Sequence, residues 1–286
     1  MIPEEFRYLA PRTLADASAT LASERDAKLL AGGMSLIPAL KHRLAQPETL
    51  IDLGRIEALR QVSAQRGRVE IAAMVTHADL ERGAGPDELA LLRETASEIG
   101  DPQVRNRGTL CGSLVHADPA GDWAAVFLAL GGEAIVLGPR GERRIASDAF
   151  FVGMLTSALS EDEILVRVAL PYARRRAGTA YCKVRQRASG FALVGVAVQV
   201  VCDRRGRIED ASIAVTGVNP TPFRARALES RVRGLAPGGG ALAELPIEID
   251  EAQPMDDLHA SGEYRLARLR VECRRALGRA WERARA

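Results

Sequence analysis

The chain has few clustered cysteines, few aromatic residues, little net charge and no long apolar run, and each shortage narrows what it can be. Its four cysteines, Cys111, Cys182, Cys202 and Cys273, are scattered with no C-x-x-C pair. That spacing argues against a zinc site or an iron–sulfur cluster held by this chain, and it suits a reducing compartment. The formal net charge is +2 over 286 residues, so no general attraction to nucleic acid or an anionic membrane is expected. The locally basic stretch from Arg265 to Arg285 reads as a solvated helix face. No stretch approaches the length needed to span a bilayer. The segment Met1–Phe6 carries two acids and lacks the apolar core of a secretory leader, so the expected location is the cytoplasm.

Familiar catalytic signatures are also missing. There is no G-x-S-x-G elbow, no G-x-x-x-x-G-K-[ST] phosphate loop and no G-x-G-x-x-G fingerprint. The histidines, His42, His77, His116 and His259, have no metal-ligand spacing. His42 and His77 are expected at surface or helix-capping positions. His116 either plays a structural part or lines a cofactor pocket. Asp118 and Asp122 could form a carboxylate pair, but Asp122 is better placed as the cap of a helix, where it could also hold a cofactor hydroxyl. With no nucleophile or acid–base set in view, the chemistry is expected to belong to a cofactor.

Two glycine-bearing segments are present: Ala31-Gly32-Gly33-Met34-Ser35 and Thr109-Leu110-Cys111-Gly112-Ser113. Each follows a strand or extended run and precedes an apolar stretch. Glycine lets the backbone approach a ligand closely, and successive amides at such a corner can cradle an anion. Either segment alone is compatible with an ordinary turn. Together, with Ser35 and Ser113 in matching places, they could hold a pyrophosphate from two sides.

The pattern around them gives a two-part layout. Thr13 and Asp16 cap a helix over 15–23. A strand over 28–31, the first glycine turn, a helix over 35–43 and a strand over 49–53 make a small βαβ unit. A strand over 69–75 follows, then a short helix capped by Thr76 and Asp79, a helix over 88–99 stopped by Gly100, and a helix over 123–130. A hairpin is expected over 134–146, and a strand over 164–170. The polar run 172–178 reads as a domain boundary. Strands over 180–187, 192–201 and 211–218, with a turn at 203–206, precede helices over 223–232 and 263–283. Strands followed by helices indicate an α+β arrangement.

These residues resemble a known family. Leu29-Leu30-Ala31-Gly32-Gly33-Met34-Ser35-Leu36-Ile37-Pro38 is similar to the first FAD motif of the FAD-binding, or medium, subunit of molybdenum hydroxylases of the xanthine dehydrogenase and carbon monoxide dehydrogenase type. The run from Asp101 to Ser113, continued by Ala117–Asp122, resembles its second motif. Tyr181–Ala192 resembles the start of its C-terminal domain.

The resemblance implies an α+β protein. A vanillyl-alcohol-oxidase-type FAD-binding domain in two subdomains would fill residues 1–172. A C-terminal flavoprotein domain, a three-stranded antiparallel sheet with a helical bundle, would fill 173–286. The resemblance further implies that Leu29, Leu30, Ala31, Gly32, Gly33, Met34, Ser35, Leu36 and Ile37 wrap the FAD pyrophosphate. Thr109, Cys111, Gly112 and Ser113 would face it, and Asp122 would hold the adenosine part. Ile99, Leu165 and Lys183 would line the cofactor, with Phe191 beside the isoalloxazine ring. Met34 cannot form a covalent flavin link, so FAD would be non-covalent. Cys111 stands where the family usually has glycine and would narrow the second nest, with strain if its φ were positive. Gly190 replaces a common aspartate.

By the same resemblance the partners are a large molybdopterin subunit and a small subunit with two [2Fe-2S] clusters. This chain would pass electrons from FADH₂ to an external acceptor. A stand-alone flavin oxidase or reductase, and a scaffold subunit that has lost FAD, are the alternatives.

Overall fold

The computed structural model describes residues 2–172, 175–235 and 240–285. The chain begins with a three-stranded parallel sheet. Strand β1 (Arg7–Leu9) leads to helix α1 (Leu14–Ser23), strand β2 (Ala27–Leu30), helix α2 (Leu36–Lys41) and strand β3 (Thr49–Asp52). The sheet order is β1-β3-β2. Thr13 starts α1 as expected, its hydroxyl accepting from the Asp16 amide at 3.1 Å. The expected βαβ unit is present, with β2 and β3 paired in parallel. Helix α2 is shorter than the expected span, and Arg43 just beyond it adopts φ 56°. β1 had no sequence signal, being three residues long and largely exposed.

The next section forms an antiparallel sheet with its helices inserted as one long excursion. Strands β4 (Val62–Gln65) and β5 (Arg68–Ala72) precede five helices: α3 (His77–Glu81), α4 (Ala90–Ser97), α5 (Pro102–Arg105), α6 (Leu110–His116) and α7 (Asp122–Ala129). Strands β6 (Glu133–Gly138) and β7 (Gly141–Ala146) make the expected hairpin. A small hairpin, β8 (Phe151–Gly153) with β9 (Thr156–Ser157), precedes β10 (Ile164–Pro171). The sheet runs β4-β5-β10-β6-β7. Thr76 and Asp79 form a complete capping box on α3. Helix α4 ends before the expected limit, and Ile99 and Gly100, the latter at φ 47°, lie beyond it.

The second glycine segment is not a glycine turn. Thr109 is the N-cap of α6, its hydroxyl accepting from the Gly112 amide at 3.1 Å, so Leu110, Cys111 and Gly112 are the first helical turn. Neither Cys111 nor Gly112 has positive φ. The strain anticipated at Cys111 is therefore absent.

The C-terminal section is a four-stranded antiparallel sheet: β11 (Ala177–Arg185), β12 (Ala192–Cys202), β13 (Ile208–Thr216) and β14 (Phe223–Arg224). The sequence pattern predicts three strands and a helix over 223–232; instead Phe223 pairs with Val215 and Arg224 with Ala214 as a fourth strand, and helix α8 starts at Arg226 (Arg226–Val232). Helix α9 (Ala241–Glu244) is short, and α10 (Gly262–Arg285) is the long terminal helix. Of the expected boundary run, Ala173 and Arg174 lie outside the described residues.

Alternation along β12 divides the packing. Val194, Val196, Val198 and Val200 share a core with α8 and α10. Tyr181, Ala197 and Ala214 instead join the core of the preceding section. Helix α7 packs against β12 and β13 on that second face, and every one of its residues is buried.

Candidate cofactor-binding site

The site starts where β2 stops. After Leu30 the chain turns through Gly32 and Gly33, the latter at φ 78°, before entering α2. Gly32 is forced by contact: a Cβ there would fall onto the Arg107 carbonyl oxygen and the Gly108 Cα. The two motifs therefore touch backbone to backbone. The second is brought up by an isolated bridge between Thr76 and Thr109, and by the His77 amide, which donates to the Gly108 carbonyl at 2.9 Å.

The amides of Gly32, Gly33, Met34, Ser35 and Leu36 donate no hydrogen bond within the chain among the described residues. Ser35 stands at the N-cap of α2 without giving its side chain to a cap bond. These donors border a cavity of about 500 Å³, a volume suited to a cofactor.

Of the residues expected at the site, Leu29, Ala31, Gly32, Gly33, Met34, Ser35, Leu36, Ile99, Thr109, Cys111, Gly112, Ser113, Asp122, Leu165 and Phe191 line this cavity. Leu30, Ile37 and Lys183 do not. Leu30 and Ile37 pack beside Gly33, and the Ile37 amide is already bonded to the Gly33 carbonyl at 3.0 Å. Phe191 is 43% exposed and Met34 38% exposed, so both border solvent. His116 also lines the cavity, 3.9 Å from Asp118, whereas His42 is exposed.

Lys183 lies behind the cavity wall. Its Nζ stands 2.7 Å from Asp122 Oδ1 and donates to the Glu98 carbonyl at 2.9 Å. The Tyr181 hydroxyl donates to the same Asp122 oxygen at 2.5 Å. Asp122 is therefore not a helix cap. It is the first residue of α7, Gly121 takes the cap position, and its carboxylate is held by two groups from β11. Burial pushes the Asp122 carboxyl up and the Lys183 ammonium down, and their mutual attraction opposes both shifts.

His77 corrects another expectation. It heads α3 but is buried, and it lines the cavity. Trp123 Nε1 donates to His77 Nδ1 at 3.0 Å. Burial, aided by Arg105, pushes its pKa down to about 4. Its periodicity could not reveal this, because the partner Trp123 lies 46 residues away. Cys111 is buried with its Sγ 3.7 Å from the Ile71 carbonyl, and burial pushes the thiol up to about 12.

A row of free amides, a glycine at position 32 that lets the two motifs meet backbone to backbone, and nearby hydroxyls make a donor set that fits a dinucleotide pyrophosphate. Comparison with known proteins agrees. Residues 4–173 match the FAD binding domain in molybdopterin dehydrogenase, and residues 179–280 match the CO dehydrogenase flavoprotein C-terminal domain. The chain belongs to the family of FAD-binding medium subunits of molybdopterin dehydrogenases.

Similarity to individual medium subunits spans nearly the whole chain. The carbon monoxide dehydrogenase medium chain of Hydrogenophaga pseudoflava is 38% identical, over 99% of both chains. The nicotine 6-hydroxylase medium subunit of Paenarthrobacter nicotinovorans is 37% identical, over 91% of both. The solved structure of carbon monoxide dehydrogenase from Hydrogenophaga pseudoflava superposes with a TM-score of 0.90 at 37% identity, covering 99% of both chains. As a medium subunit of this family, the protein is an oxidoreductase component with an FAD-binding domain. Among the described residues no cluster of His, Cys, Asp and Glu could hold a metal ion, and no helix is long and apolar enough to cross a membrane.

Proposed function

We propose that this chain is the FAD-carrying electron-transfer subunit of a heterotrimeric molybdenum hydroxylase in the cytoplasm. It takes electrons from a small subunit with two [2Fe-2S] clusters. A large molybdopterin subunit oxidises the substrate, and an external acceptor receives the electrons. Residues 1–172 form a vanillyl-alcohol-oxidase-type FAD domain in two subdomains, and 173–286 the C-terminal flavoprotein domain. The observation that carries this reading is the meeting of Gly32 with the Arg107–Gly108 backbone, which sets both motifs on one cavity.

The chain's part in the reaction is to bind and orient. The amides from Gly32 to Leu36 and the Ser35 hydroxyl donate to the pyrophosphate, faced by the hydroxyls of Thr109 and Ser113. Asp122 accepts from an adenosine hydroxyl, and Tyr181 and Lys183 fix the carboxylate in place. Lys183 thus acts through Asp122 and does not touch the cofactor. Phe191, half-exposed on the cavity lining, would lie beside the isoalloxazine ring. FAD supplies the ability to take electrons singly and release them as a pair. Met34 has no nitrogen to attach a flavin, so the cofactor is released intact on denaturation.

The test is flavin content. The purified chain is expected to bind about one FAD, releasable by denaturation, per chain. A colourless protein that takes up none overturns the reading. The complex is tested separately: the native protein should co-purify with molybdenum and iron, and a flavoprotein free of both favours the stand-alone enzyme.

A further inference from the structure

We propose that His77 is a cofactor-binding residue, donating its Nε2–H to a pyrophosphate oxygen of FAD. The proposal rests on the FAD reading above and adds a side-chain donor to it.

The argument begins with Trp123. An indole nitrogen can only donate, so His77 Nδ1 must accept from it. A neutral imidazole with Nδ1 accepting carries its proton on Nε2. Burial and Arg105 keep the ring neutral at physiological pH. Trp123 thus fixes both the orientation of the ring and the site of its proton.

That proton has no partner within the chain among the described residues. His77 is 4% exposed as a residue, but Nε2 itself is not sealed off, and a donor on a residue that lines the cavity is free for an acceptor placed there. Nε2 faces the place where Gly108 lacks a side chain: a Cβ there would stand 2.7 Å from it. A Cβ on Gly32 would stand 2.7 Å from the Gly108 Cα, and His77, Gly108 and Gly32 all line the cavity. The free donor therefore lies next to Gly108, the residue at which the second motif meets Gly32 of the first. An acceptor oxygen at that junction belongs to the pyrophosphate. A neutral donor suits it, because it adds a hydrogen bond without placing a buried charge.

The test uses the full chain and direct binding. His77→Phe keeps an aromatic ring and removes the donor, and His77→Gln restores an N–H near the Nε2 position. FAD and ADP should bind roughly ten- to a hundredfold more weakly to His77→Phe, and His77→Gln should recover most of the loss. FMN, which lacks the pyrophosphate, should be unaffected. Equal affinity of wild type and His77→Phe for FAD and ADP overturns the proposal. If that variant fails to fold, nitrogen-15 histidine spectra of the wild-type protein decide. The Nε2-bound proton should shift when ADP is added, and an unmoved resonance overturns the assignment. Wild type that binds neither FAD nor ADP would overturn the FAD reading itself, which separates the two failures.

Discussion

Lys183 Nζ lies 2.7 Å from Asp122 Oδ1, and their side chains are 1% and 5% exposed. The pair joins β11 to the first turn of α7, so one ion pair fixes both a cavity wall and the contact between two sections of the chain. Lys183→Met would leave Asp122 buried without its cation. The expected cost is about 3–5 kcal/mol in urea unfolding, with reduced flavin content. Adding Asp122→Asn should restore part of that stability. A single mutant as stable as wild type would show that the pair is not structural.

The buried imidazole gives a pH signature. His77 titrates near the ordinary histidine value of about 6.5 when unfolded, and at about 4 when folded. The unfolded state therefore binds the proton first as pH falls. The contribution is complete above pH 6.5 and is lost as pH drops through about 4, amounting to roughly 3 kcal/mol. In His77→Gln this part of the stability profile should flatten. Identical profiles for the two proteins would refute the assignment.

Two glycines separate folding from binding. Gly32→Ala forces a Cβ into the Arg107 carbonyl, and Gly178→Ala forces one into the Ala280 carbonyl of α10. Each should cost about 1–3 kcal/mol by overpacking. Only Gly32→Ala should lose FAD, measured as flavin per chain. Equal flavin loss in both would mean that the effect is general unfolding.

Cys111→Gly should not improve flavin binding, although the resemblance to the second FAD motif suggested that Cys111 narrows the site. The thiol points into the core, and the backbone is already helical. The substitution places glycine in a helix and opens a small cavity, at a cost of about 1–3 kcal/mol. The measurement is FAD titration beside thermal unfolding. A large gain in affinity would restore the view that Cys111 obstructs the site.

Much of this was legible in sequence because it is local. Thr13 and Asp16, Thr76 and Asp79, and the hairpin from Glu133 to Ala146 are set by neighbours a few residues apart. The first motif was legible only in company, because a glycine pair alone reads as an ordinary turn and gains meaning from the strand before it, the helix after it and the second motif. What was missed depends on partners far along the chain. Asp122 looked like a cap because its partners, Tyr181 and Lys183, stand 59 and 61 residues away. β14 looked helical because two residues carry no periodicity and only pairing with β13 defines them. The second motif looked like a turn because Gly112 suggested positive φ, whereas Thr109 had already begun a helix.

Helix α7 has no solvent face. Trp123 and Phe127 lie on it between two packed sections, and parting those sections would bring both rings into water. Helix α7 is thus the mortar between the two sections rather than a surface of either, while the rim at Met34 and Phe191 is the part of the cavity that meets solvent.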